Sequence, residues 1–104
     1  MRAEPTQLLS IAAEVLTPAT LGSVRRSPSF HCRGWQILDR WAFESPVQLR
    51  ALEAEGEVIL LGRLLEQQQL EHQALRSAVA LEQHRRGLAE QEILALHEIH
   101  TTLA

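Results

Sequence analysis

The chain predicts an all-α fold, a small helical bundle, on three observations. Apolar residues return at spacings of three and four over most of the length, and no stretch alternates them with polar residues as a half-buried strand would. Thr17-Pro18 and Ser45-Pro46 each have the form of an N-cap followed by a first helical residue. His84, Arg85, Arg86 and Gly87 read as a basic last turn closed by a C-cap glycine. At 104 residues the chain makes a single helical domain, 1–104, long enough to bury roughly 60 to 70% of its unfolded surface without metal or disulfide staples.

The first element expected is an N-terminal helix within residues 1–21. Its periodic part runs from Pro5 or Thr6 to Leu16, with Leu8, Leu9, Ala12, Val15 and Leu16 on one side, and Thr17-Pro18 starts a further short turn before Gly22. Residues 22–34 then read as a loop, because Gly22, Ser23, Ser27, Pro28, Ser29 and Gly34 crowd a stretch that also holds Arg25, Arg26 and Arg33. Trp35, Leu38 and Trp41, with Ile37 and Ala42 beside them, predict a short amphipathic helix over 35–43.

Residues 46–86 predict one long central helix, about 60 Å at 1.5 Å per residue, which needs a partner surface. Gly56 is preceded by acidic residues, the wrong charge for a helix C-terminus, so the helix is expected to pass through it, with Gly56 or Gly62 marking a kink or a close crossing. Leu61, Leu65, Gln68, His72, Leu75 and Val79 alternate steps of four and three, the rhythm of a coiled-coil-like seam with a polar centre. Such a seam predicts a homodimer in which Gln68 and His72 set the register. After Gly87 an antiparallel C-terminal helix over 88–101, carrying Ala89, Ile93, Leu96 and His100 on one face, closes a helical hairpin.

The net charge of −3 argues against a generally basic nucleic-acid binder, but charge is unevenly spread. Residues 1–43 hold five arginines against Glu4, Glu14 and Asp39, whereas residues 44–104 hold five arginines against ten glutamates. Arg25, Arg26, Arg33, Trp35, Arg40 and Trp41 share one short span, and arginine interleaved with tryptophan suits both protein hot spots and phosphate-and-base surfaces. The plainer reading makes the tryptophans core anchors and the arginines the solvation of a loop.

No catalytic or cofactor motif stands out. The chain has no lysine, which excludes a Schiff-base or P-loop lysine, and no asparagine, which excludes an N-glycosylation acceptor. His97-Glu98-Ile99-His100 resembles a zinc-protease helix motif but sets its histidines three apart instead of four, so no metal site is expected. Cys32 is the only cysteine; no intrachain disulfide can form, and a buried structural thiol is the plain reading. Glu14 breaks the apolar segment from Leu8 to Leu16, which is therefore neither signal peptide nor membrane span. The composition, rich in Arg, Leu, Ala, Glu and Gln, fits a GC-rich coding sequence and a bacterial, cytoplasmic protein. The expectation is a non-enzymatic helical protein–protein interaction module, a small regulator, adaptor or inhibitor without cofactor, whose partners are a second copy of itself and another protein. The alternative is a nucleic-acid-associated protein that uses residues 25–41 against phosphates.

Overall fold

A computed structural model describes residues 8–103 of the chain. These residues form a helical bundle of six α-helices: α1 Pro18–Arg26, α2 Cys32–Glu44, α3 Pro46–Glu55, α4 Glu57–Arg76, α5 Ala78–Arg85 and α6 Glu90–Leu96. The described residues contain no strand.

The predicted N-terminal helix is α-helical only from Pro18 onward, and its periodic part up to Leu16 gives way to other structure where the described residues begin. Its residues 1–7 lie outside the described residues, and Leu8 to Leu16 form turns around a short 3-10 helix, Ala12–Glu14. The reason lies on α2. Asp39 accepts the Leu9 and Ala12 N–H groups at 2.7 and 2.9 Å and draws the backbone into a turn in which Leu9 takes a φ of 70°. The first true helix, α1, starts at the Thr17-Pro18 signal, with the Thr17 side chain capping Thr20 N–H. It passes through Gly22, so the expected loop over 22–34 shrinks to residues 27–31. His31 then caps α2 by accepting the Arg33 N–H on Nδ1, and the tryptophan helix begins at Cys32 instead of 35.

The long helix over 46–86 is three helices. Gly56 adopts φ 134°, a conformation closed to residues with a side chain, so the chain turns between α3 and α4. Backbone geometry overrides the charge argument for continuity here. At Ser77 the backbone is extended, and the serine hydroxyl caps Ala80 N–H while bonding back to Ala74 O. Gly62 remains inside α4 without interrupting it. The stop at Gly87 is a Schellman motif: Leu88 N–H bonds Gln83 O, Gly87 N–H bonds His84 O, and Gly87 takes φ 99°.

The antiparallel return is present but shorter than 88–101. Helix α6 ends at Leu96, and residues 97–103 continue along α4 as non-helical chain, with Glu98 at φ 59°. Glu90 lies beside Leu75, whereas His100 O accepts from Gln67, which sets the direction opposite to α4. Leu103 then enters the core formed by Leu9, Leu16, Leu21, Val24, Ile37, Leu38, Trp41, Leu49, Leu60 and Leu64. The inward face of α4 is Leu60, Leu64, Gln67, Gln68 and Glu71. Apart from Gln68, which belongs to both, it stands one residue, about 100° of rotation, from the predicted seam. No helix among the described residues is long and apolar enough to cross a membrane.

Candidate functional site

The arginine and tryptophan side chains of residues 25–41 do not share one surface. Arg33 and Arg40 stand two turns apart on α2 and face α4, where Glu71 is fully buried. Arg40 grips the Glu71 carboxylate with both terminal nitrogens and donates from Nε to Thr101 O at 2.9 Å. Arg33 Nη1 lies 3.8 Å from Glu71, and its Nη2 bonds Glu90 at 3.1 Å. Gln67 completes the cluster by donating to Glu71 at 2.8 Å and to His100 O at 2.7 Å. A buried carboxylate survives only when charge and hydrogen bonds compensate it, and this cluster does both while tying α2, α4 and the C-terminal segment together. It forms one wall of a cavity of about 330 Å³ whose floor includes Ile37 and Leu94.

Trp41 is a core residue. Its ring is fully buried beneath the Arg63 guanidinium, 5.4 Å from the ring centroid, and its Nε1–H donates to Thr101 O. Trp35 is half-buried against the core, its buried Nε1 without a hydrogen-bond acceptor among the described residues. Only Arg25 and Arg26 answer the picture of an exposed basic pair: they end α1, face solvent, and have no carboxylate within salt-bridge distance among the described residues. The four arginines therefore do not assemble as a phosphate clamp.

The predicted seam is also divided. Gln68 lies inside the chain, donating to Ser29 O at 2.9 Å and accepting His31 N–H at 3.3 Å, so it holds the 27–31 loop against α4. His72 is exposed, with its ring edge-on to His31 at 5.7 Å between centroids and its Nε2 3.3 Å from Arg76. Leu75 is half-buried near α6, and Val79 is exposed on α5, beyond the Ser77 break. Leu61 and Leu65 remain together. With Phe30, Val58 and Gly62 they line an apolar groove of about 300 Å³ between α4 and the 27–31 loop. Val58 is 81% exposed there.

Cys32 is exposed at the first residue of α2, which corrects the expectation of a buried thiol. His97 engages Gln83 at 3.1 Å and His100 lies past the end of α6, so the two do not share a helix face. Among the described residues no group of three or more His, Cys, Asp or Glu is placed to hold a metal ion. One carboxyl is shifted. Burial pushes Glu53 up, but hydrogen bonds from the Thr20 side chain and from the Thr17 N–H and hydroxyl outweigh it and hold the group below its ordinary value.

Sequence reasoning missed Glu71, Gln67 and the capping role of Asp39. A signal for the first two exists: Leu60, Leu64, Gln67 and Glu71 repeat the same four-and-three rhythm as Leu61, Leu65, Gln68 and His72. Comparison of the chain with protein-family models, curated proteins and solved structures found no match.

Proposed function

We propose that this chain is a non-enzymatic helical interaction module, a small regulator, adaptor or inhibitor, that binds protein partners through the groove of Phe30, Val58, Leu61 and Leu65. The observation that carries this reading is an open apolar groove between α4 and the 27–31 loop in which Val58 is 81% exposed. An exposed apolar surface of this kind is what the centre of a protein interface covers. The titratable groups around the larger cavity are committed to tying helices together, which is structural work: Arg33, Arg40 and Glu71 to one another, Asp39 to backbone N–H groups. Binding of nucleic acid by residues 25–41 is the weaker reading, because Arg33 and Arg40 are neutralised by Glu71 and Glu90. The arginine-only basic composition supports a bacterial, cytoplasmic setting.

The test is a double charge insertion, Leu61→Glu with Leu65→Glu, in the full chain. Both residues are half-buried at the groove, so circular dichroism must first show a folded variant. Retained fold with loss of partner capture from a host lysate supports the reading, and unchanged capture together with unchanged molar mass in solution overturns it.

A further inference from the structure

We infer that the 27–31 loop is a pH-responsive latch, held on α4 through two uncharged imidazoles, His31 and His72, and released when these take up protons. The inference goes beyond the association reading and does not depend on it.

The loop docks through few contacts. Gln68 of α4 donates to Ser29 O at 2.9 Å and accepts the His31 N–H at 3.3 Å, Phe30 enters the core, and the His31 side chain caps α2. Thr17 and Ser77 cap their helices with hydroxyls, which do not titrate in water near neutrality, whereas His31 accepts the Arg33 N–H on Nδ1 at 3.3 Å. A ring nitrogen accepts only while it is bare. The proton that charges His31 therefore goes onto Nδ1 and removes the cap. It also sets a positive charge at the positive end of a helix.

His72 stands in the same condition. Its Nε2 lies 3.3 Å from Arg76 Nη1, and a guanidinium can only donate, so the imidazole is the acceptor. The proton that charges it goes onto Nε2, against a cation. The two rings meet edge-on at 5.7 Å between centroids, so charging both sets like charges at that distance. Around the pair, α2 contributes Arg33 and the Cys32 thiol, α4 contributes Arg76, and α6 contributes Glu90. Glu90 is the carboxylate of the pocket that His31 and His72 share, and it is bonded to Arg33 at 3.1 Å. Glu71, next to His72 in the chain, is fully buried and held by Arg40. The rest of the loop, Ser27 to Phe30, brings no charge. Acid thus removes two acceptors and adds repulsion, and both penalties are relieved when the loop lets go. Ser27, Ser29 and Phe30 line the apolar groove, so release dismantles one of its walls.

Amide hydrogen exchange in the full chain between about pH 7.5 and 5.5 tests this, a window above the range in which Glu53 titrates. With intrinsic rates normalised, protection of the residue 31 amide should fall about fivefold across the window, the scale of an exposed hydrogen bond or two. The amides of Leu38 and Leu64, buried in α2 and α4, should keep theirs. His31→Ser with His72→Gln replaces the cap by one that cannot titrate and should abolish the response, whereas His84→Gln should retain it. Circular dichroism checks that each variant is folded. Constant protection at residue 31 in the natural chain overturns the latch by itself, whether or not a variant folds. An equal fall at Leu38 and Leu64 would make the response global unfolding, and an undiminished response in the double variant would assign it to other groups; either result also overturns the latch.

Discussion

Gly34 of α2 and Gln68 of α4 meet so closely that a Cβ on residue 34 would overlap Gln68 Oε1. The amide cannot retreat without cost, because it is buried and bonded to Ser29 O and to His31 N–H. Phe30 closes the other side at 3.2 Å from the same position. Glycine is thus required at 34 for the two helices and the 27–31 loop to pack as one layer. Gly34→Ala should destabilise the protein by about 1 to 3 kcal/mol through overpacking and loss of these bonds, read from urea midpoints. Adding Gln68→Ala to the variant should recover part of the loss, since the clash goes with the amide; strictly additive effects would contradict the contact.

Glu71 is the most consequential polar side chain of the fold. Glu71→Ala leaves Arg40 facing the interior without its counter-charge and should cost about 3 to 5 kcal/mol. The pair exchange Glu71→Leu with Arg40→Met should come much closer to the natural stability, because a well-packed apolar pair removes both desolvation terms. Thermal unfolding of the three proteins separates these outcomes. A single variant as stable as the natural chain would mean that water reaches the carboxylate.

Trp41 and the α1 arginines should respond in opposite ways. Trp41→Ala removes a fully buried ring and the Thr101 hydrogen bond, and should cost about 3 to 5 kcal/mol, a large share of a marginal domain's stability. Arg25→Ala and Arg26→Ala, both exposed, should each change stability by less than about 0.5 kcal/mol. Denaturant titrations followed by circular dichroism read both.

Glu53 gives the protein one predictable response to acid. Its folded-state pKa lies below the ordinary 4.5, so in that window the unfolded chain binds more protons and stability rises with pH. The contribution is present above 4.5 and is lost as the pH falls through the lowered folded value. Glu53→Gln should therefore be the less stable protein near neutrality and draw level with the natural chain in acid. Urea midpoints measured from pH 7 downward show this as converging curves; parallel curves would remove Glu53 from the account.

Local chemistry carried some of this structure and could not carry the rest. The helical class, the starts at Pro18 and Pro46, the stop at Gly87 and the antiparallel return of the C-terminal helix rest on first-turn prolines, caps and periodicity, which act within a few residues and so stand in the sequence itself, although Ser45, unlike Thr17, makes no side-chain cap bond. The doublets Leu60-Leu61 and Leu64-Leu65 left two registers of α4 equally apolar, and choosing between them required the opposing helix. The same holds for Arg33 and Arg40: their carboxylate lies on another helix, more than thirty residues away, and nothing near them in the chain distinguishes a committed guanidinium from a free one. Composition and short-range spacing determined that this protein is a bundle of helices. Which faces of those helices are buried, which arginines are neutralised and which apolar stripe stays open were decided by tertiary packing, because burial and charge pairing are properties of neighbours that only the fold brings together.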